Sequence, residues 1–236
     1  MITVYQLPPA FGLPVSVSPY CTKLEAYMRL TNREFRTAVA DLRKSPNKKV
    51  PYVDGLGQGG LMAESGNIIA ELEQLGPSLD GGLSAEDEVL GKELEDLAQR
   101  DLYFGCLHSR FAEPGGWEHQ KPTVKALVPW VLSPLLVPVI RRSQVKLCAE
   151  NGFADPSGYD GALKVVERIA EVLGDKPFLL GDAPRVADCS VWANLTHTAY
   201  TLASNPPREA VRANGPIMAY VQRLADRLQL KLPPLR

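Results

Sequence analysis

Residues 49–65 have the sequence KVPYVDGLGQGGLMAES. Val50 to Asp54 is a short apolar segment, and Leu61 to Ala63 is a second one. The glycine-rich residues 55–60 between them are typical of a turn, so the two segments are predicted to pair as a β-hairpin. Glu64-Ser65 then begins a helix. The apolar residues predicted on its buried face are Ile68, Ile69, Leu72 and Leu75.

The residues before this hairpin extend the same unit. Residues 2–7 are predicted to be a strand, and residues 34–40 a second one. Between them, Ser18-Pro19 begins a helix, because serine is a good N-cap and proline suits the first helical position. The predicted order is therefore β-α-β-β-β-α.

A change of composition separates this unit from the rest of the chain. Residues 76–82 are rich in Gly, Pro, Ser and Asp, which predicts a linker. Everything beyond it has helical spacing, and helices are predicted to begin at Ser84 and to occupy 159–173, 186–202 and 217–228. The sequence thus predicts two domains, an α/β domain over 1–76 and an all-α domain over 83–236.

Composition excludes several classes of function. The chain has 236 residues and a net charge of -1, so no overall field attracts nucleic acid. The four cysteines and three histidines match no ligand spacing, and no metal site is predicted. The chain opens directly on a strand pattern without a basic n-region. We therefore expect a reducing, cytoplasmic setting with free thiols.

The longest apolar stretch covers residues 126–140. It is shorter than the roughly 20 residues that span a bilayer, and three prolines interrupt it. We predict a buried, kinked segment, and membrane contact is not expected. The alternative is a pocket wall or a membrane-touching patch with Arg141-Arg142 at its edge.

Three local motifs carry the candidate chemistry. In Ser18-Pro19-Tyr20-Cys21, a hydroxyl lies at the positive end of a helix dipole, a position that suits a thiolate. In Lys49-Val50-Pro51-Tyr52, a cis proline would expose the Val50 backbone to an extended peptide-like ligand. In Ala63-Glu64-Ser65, a hydroxyl and free N–H groups form a carboxylate site. The alternatives are two simple helix caps and an edge-strand proline.

These motifs, in this order before a helical domain, resemble the glutathione transferases. That family's Val-Pro and acidic-Ser pairs are similar to Val50-Pro51 and Glu64-Ser65. Its helical-domain signature is similar to Gly181-Asp182-Ala183-Pro184-Arg185-Val186-Ala187-Asp188. The resemblance covers essentially the whole chain and implies a thioredoxin-like domain followed by an all-α domain. Residues 12–27 and 175–182 resemble the metaxin and failed-axon-connections branch.

One position departs from the family signature. Arg185 stands where the family has a helix-capping hydroxyl, so only the Asp188 half of the capping box remains. That loss costs about 1 kcal/mol of helix stability unless another group caps the helix.

The resemblance implies glutathione as co-substrate and a hydrophobic electrophilic small molecule as its partner, with no metal. Glutathione would lie along Val50-Pro51, with Glu64 and Ser65 holding its γ-glutamyl end. A basic residue (Lys44, Lys48 or Lys49) would meet the glycyl carboxylate. Ser18 would donate to the thiolate. A homodimer is the family expectation.

Two other functions stay open. Cys21 could support a glutathione-dependent thiol reductase or lyase, although a helix cysteine is more often a packing residue. The metaxin-like features would instead fit a non-catalytic binding protein on the same fold. Several residues of the helical domain either line a second-substrate pocket or belong to the core and surface. They are Asp101, Tyr103, Phe104, Leu107, His108, Arg110 and Phe111.

Overall fold

The computed structural model describes residues 1–57 and 59–235. Gln58, within the predicted turn, and Arg236, at the end of the predicted helical domain, lie outside the described residues. A small mixed sheet with two helices comes first, and helices follow. The predicted class, an α/β unit followed by an all-α unit, is confirmed.

The sheet has four strands in the order β2-β1-β3-β4. Strands β1 and β2 are parallel, whereas β3 is antiparallel to both β1 and β4. The predicted hairpin is therefore confirmed as β3–β4. The bounds are β1 Ile2–Gln6, α1 Pro19–Leu30, β2 Phe35–Val39, β3 Tyr52–Asp54, β4 Met62–Ala63 and α2 Ser65–Leu75.

Helices α1 and α2 pack through their apolar faces. Leu24 of α1 and Leu72 of α2 are fully buried in one core with Val4 and Val53 of the sheet. The predicted face of α2 is confirmed except at Leu75, which is 58% exposed. It lies in the last turn of the helix, where the chain leaves the sheet.

The rest of the chain is helical. Its bounds are α3 Ala85–Leu97, a π-helical turn Ala98–Leu102, α4 Tyr103–Phe111, α5 Pro114–Ala126, α6 Ser133–Glu150, α7 Tyr159–Leu173, α8 Val186–Ala199, α9 Pro206–Ala213 and α10 Gly215–Arg227. Short 3-10 turns cover Trp130–Leu132 and Pro156–Gly158. The π-helical turn joins α3 to α4 without a break, a feature that the sequence did not predict.

Helix α8 is the centre of the molecule. All of its residues from Ala187 to Ala199 are buried, which confirms the prediction of a central helix. It ends at Ala199 rather than at the predicted Leu202, because Tyr200 already leaves helical geometry. It packs against α1, so the α/β unit and the helical unit share one core.

The start of α8 is capped from a distance. The Asp188 carboxylate accepts from the Arg185 N–H at 2.8 Å, and Asp80 Oδ1 accepts from the Val186 N–H at 2.9 Å. The Arg185 guanidinium donates to the Leu79 carbonyl at 2.6 Å. Asp80, in the connection between α2 and α3, thus satisfies a first-turn N–H of a helix that lacks its hydroxyl cap.

The prediction of a buried segment at residues 126–140 is wrong. Trp130 is 85% exposed, Leu135 is 67% exposed and Val139 is 53% exposed, whereas Val137 is buried. The segment forms the turn from α5 to α6 and the first half of α6, and α6 packs only one face on α4 and α5. Among the helices described, none is long and apolar enough to cross a bilayer.

Candidate functional site

Ser18 lies at the N-terminus of α1 with its hydroxyl free of the capping role. Its backbone is extended (φ -93°, ψ 121°), and its side chain makes no capping hydrogen bond. Burial raises the pKa of the Cys21 thiol to about 11 and outweighs the Ser18 and Ser16 side chains, which lower it, so the thiol is neutral at physiological pH.

The Val50–Pro51 peptide bond is cis. Strand pairing begins only at Tyr52, and the N–H and C=O of Val50 enter no backbone hydrogen bond of the described residues. An edge of main chain thus remains unpaired directly before β3.

Asn47 organises the turn that presents this edge. Its Oδ1 accepts from the Lys49 N–H at 2.9 Å and lies 3.0 Å from the Ser45 hydroxyl. Its Nδ2 donates to Glu64 Oε1 at 2.6 Å. One side chain therefore fixes the 45–49 turn and ties it to the start of α2. The sequence reasoning missed Asn47, which lies in a polar stretch without periodicity.

Glu64 and Ser65 begin α2 in a constrained geometry. Glu64 has φ 70°, a left-handed conformation that a non-glycine residue adopts at a cost of about 1–3 kcal/mol. Ser65 is 4% exposed. Its hydroxyl enters no side-chain hydrogen bond of the described part of the chain. Ser65 is the first residue of α2, and the N–H groups of a first helical turn have no intrahelical acceptor, an arrangement that suits an anion.

The three candidate lysines occupy the connection between β2 and β3. Lys44, Lys48 and Lys49 are all exposed, and none forms an ion pair with a described carboxylate. Their charges are available to an anion at the turn.

Tyr20, two residues after Ser18, is affected by the charge at the start of α2. Burial raises the pKa of Tyr20 to about 12, and the Glu64 carboxylate is the second cause. The Tyr20 ring also contacts Tyr103 of α4, with centroids 4.8 Å apart.

A buried network fixes the loop before α1. The Arg110 Nη1 donates to the Val17 carbonyl at 3.0 Å, and its Nη2 lies 3.0 Å from His197 Nδ1. Because a guanidinium only donates, Nδ1 must accept, and His197 Nε2 then donates to Thr22 Oγ1 at 3.0 Å. Burial and Arg110 hold the pKa of His197 well below its usual range, consistent with a neutral ring.

This network ends on the loop that carries Ser18. Thr22 Oγ1 donates to the Ser16 carbonyl at 3.1 Å, so the carbonyls of Ser16 and Val17 are both held. Arg110 is 5% exposed and meets no carboxylate among the described ion pairs. Among the described residues, its guanidinium contacts the Val17 carbonyl, the His197 ring and the Phe11 ring, whose centroid is 4.8 Å away. Sequence spacing gave no signal for this contact over 93 residues.

The other candidate pocket residues lie at the boundary of the two units, in an ion pair or in the core. Tyr103 contacts Tyr20 at the boundary of the two units. His108 is a buried structural histidine, with its Nδ1 3.0 Å from the Phe153 carbonyl. Asp101 pairs with the neighbouring Arg100. The remaining three pack into small clusters with α5, α6 and α7: Phe104, Leu107 and Phe111.

No group of three His, Cys, Asp or Glu side chains with metal-site geometry occurs in residues 1–57 and 59–235. The four cysteines are free and buried.

Two family models and a curated relative match this chain. A family model described as glutathione S-transferase N-terminal domain matches residues 19–116, and one described as glutathione S-transferase, C-terminal domain matches 162–224. The isoprene-epoxide–glutathione S-transferase of Rhodococcus sp. (strain AD45) is 30% identical over 215 residues. That alignment covers 84% of this chain and 87% of the relative.

Solved structures share the fold. Gtt2 from Saccharomyces cerevisiae superposes with a TM-score of 0.63 at 20% identity, covering 96% of this chain and 98% of its own. A glutathione S-transferase from Methylobacterium radiotolerans in complex with glutathione sulfonate gives 0.59 at 15% identity, covering 96% and 91%.

Proposed function

Because the chain belongs to the glutathione S-transferase family, we propose that it conjugates the thiolate of glutathione to an electrophilic small molecule. One observation carries the proposal. The Asn47 side chain joins the turn before the unpaired Val50 edge to Glu64 at the start of α2. The main-chain edge at Val50 and the helix start at Glu64-Ser65 are thus linked through one side chain. An extended tripeptide with a free α-carboxylate needs both a main-chain edge and a carboxylate site.

Each end of glutathione has a candidate partner. Its cysteinyl part lies along the Val50 backbone before Pro51, and its γ-glutamyl carboxylate accepts from the Ser65 hydroxyl and first-turn N–H groups. Glu64 pairs with the γ-glutamyl ammonium. Lys49, Lys44 or Lys48 meets the glycyl carboxylate.

Ser18 stabilises the thiolate in this proposal. Lowering a thiol pKa by two units from about 8.5 requires about 2.7 kcal/mol of preference for the thiolate. A hydroxyl donor at a helix N-terminus supplies part of it. The buried Arg110 cation donates to the Val17 carbonyl, next to Ser18, and its positive potential also favours a thiolate there. Cys21 is a poorer candidate because its thiol is buried and its pKa is raised.

An epoxide is the first substrate to test, because the Rhodococcus relative is an isoprene-epoxide–glutathione S-transferase. The thiolate sulfur attacks one ring carbon, a C–S bond forms, and the C–O bond breaks. The resulting alkoxide takes its proton from water. The product is a hydroxy-thioether with no change of overall oxidation state.

A second candidate is a non-catalytic binding protein of the metaxin-like kind. The exposed segment at 126–140 favours it, because an apolar surface of this size is typical of interaction sites. It predicts a folded protein that neither binds glutathione nor forms a thiolate.

Isothermal calorimetry with glutathione tests the proposal. Wild type should bind, and Ser65→Ala should weaken the Kd by about tenfold, equivalent to 1.4 kcal/mol. Ser65 is buried and its hydroxyl has no described partner, so the variant should remain folded. No binding at millimolar glutathione would leave the binding-protein alternative.

Activity measurements then distinguish a role for the Ser18 hydroxyl from a role for the Cys21 thiol. With a small epoxide as substrate, Ser18→Ala should lower kcat/KM by at least tenfold, whereas Cys21→Ala should keep it within about threefold. The reverse pattern would assign a Cys21-based reductase or lyase instead.

We further propose a boundary between the domains, 1–76 and 83–236, a homodimer and a reducing cytoplasmic setting. The connection of α2 to α3 supports the boundary, and the family membership supports the homodimer. The free buried cysteines support the reducing setting.

A further inference from the structure

The turn from α5 to α6 and the first two turns of α6 expose six large apolar side chains, here named the apolar tip. They are Leu127, Trp130, Val131, Leu132, Leu135 and Val139. Single exposed apolar residues are normal, but six within thirteen positions form a surface of the kind that marks interaction sites. Nothing in the proposed conjugation uses this surface.

The apolar tip stands on a packed base. Val124 of α5 and Val137 of α6 are buried with Phe111 and Trp117 in a separate small core. Arg141 stacks over the Trp117 ring at 4.9 Å and donates to the Phe111 carbonyl at 2.9 Å. The outward apolar side chains are therefore held in place by a formed hairpin of helices.

Basic residues predominate around the apolar tip. Residues 119–149 contain five Lys or Arg residues and no Asp or Glu. On α6 the exposed residues Leu135, Val139, Arg142 and Lys146 follow a spacing of four, three and four, so they share one helix face. Lys125 is exposed at the end of α5, and the one described acidic contact on this face is Glu150 beside Lys146.

We propose that the apolar tip docks the protein on an anionic lipid surface as a peripheral contact. A tryptophan and aliphatic side chains next to basic residues suit the boundary between acyl chains and anionic head groups. Residues 119–149 contain no acidic side chain that an anionic surface would repel. The expectation of no membrane contact rested on a buried segment, and its exposure reverses that expectation.

A second copy of the chain fits this surface less well. A two-fold interface places the same patch against itself, so the basic residues Arg142 and Lys146 would lie near the same basic residues of the second copy. Like charges at close range oppose that association.

Vesicle co-sedimentation tests the proposal with the full chain and without glutathione. Wild type should bind vesicles of phosphatidylcholine with about 30% phosphatidylserine at least tenfold better than phosphatidylcholine alone, and salt should weaken the binding. Trp130→Ser should lower binding at least tenfold, whereas Val89→Ser, at an exposed apolar position of α3, should not change it. Arg142→Glu should weaken it several-fold, and Lys164→Glu on α7 should not.

Tryptophan fluorescence adds a direct readout. Trp117 and Trp192 are buried, so a blue shift on adding vesicles reports Trp130 and should vanish in Trp130→Ser. Wild type that ignores anionic vesicles, or Trp130→Ser that binds like wild type, overturns the proposal. If Trp130→Ser changes only the molar mass in light scattering, the apolar tip is an interface between copies instead. Because no readout needs glutathione, these outcomes are independent of the conjugation proposal.

Discussion

Asp80→Ala should destabilise the protein by removing a helix cap that is distant in sequence. Asp80 Oδ1 accepts from the Val186 N–H at 2.9 Å across 106 positions of the chain. In the variant, that N–H at the start of α8 loses its acceptor. Because α8 is buried along its length, the loss affects the central helix of the molecule.

The expected magnitude follows from capping data and from the surroundings of Asp80. Removing a carboxylate cap costs about 1 kcal/mol, within a range of about 0.5–2 kcal/mol. Burial raises the pKa of Asp80, so the charged form already carries a desolvation cost that the variant relieves. We therefore expect a loss of about 1 kcal/mol, equivalent to about 2–4 °C in Tm for a chain of this length.

Urea unfolding and differential scanning calorimetry measure this change. Asp80→Asn should keep most of the stability, because its amide oxygen still accepts from Val186. Asp182→Ala is the matched control: it removes the same charge from the exposed connection just before α8. A loss for Asp80→Ala no larger than that for Asp182→Ala would refute the reasoning.

Three further predictions concern the site and the core. Asn47→Ala should weaken glutathione binding at least tenfold in calorimetry, because the turn loses its tie to Glu64; unchanged affinity would contradict it. Arg110→Met should lower kcat/KM about tenfold and raise the thiol pKa in the pH–rate profile, with Arg110→Lys intermediate. Burial raises the pKa of Asp188 to about 6 from 3.8, so the free energy of unfolding should fall as pH rises through that window. In urea unfolding, Asp188→Asn should lack that fall; a constant difference from wild type would disprove it.

The local parts of the fold could be predicted because short-range physics determines them. Glycines between two apolar segments specified the β3–β4 hairpin, and the strong amphipathic pattern of Tyr159–Leu173 gave α7 with its correct ends. The cis proline at Val50-Pro51 and the helix start at Glu64-Ser65 could be predicted because each depends only on neighbouring residues.

The missed features depend on contacts between distant residues. Arg110 reaches Val17, and Asp80 reaches Val186, with no periodicity to indicate either pair. The segment 126–140 was predicted to be buried because its composition is apolar, but composition cannot show whether a neighbour covers it. Its α5–α6 hairpin has too few partners to do so.

The complete burial of α8 also determines how the molecule exchanges its amide hydrogens with solvent. A helix with no exposed side from Ala187 to Ala199 has no local opening that frees its N–H groups, so they exchange only when the whole molecule unfolds. Its protection then equals the global free energy of unfolding, whereas the turn between α5 and α6 opens locally. A ligand that binds only the folded state raises the free energy of unfolding. The free energy of amide exchange in α8 should rise by the same amount, wherever on the molecule the ligand binds.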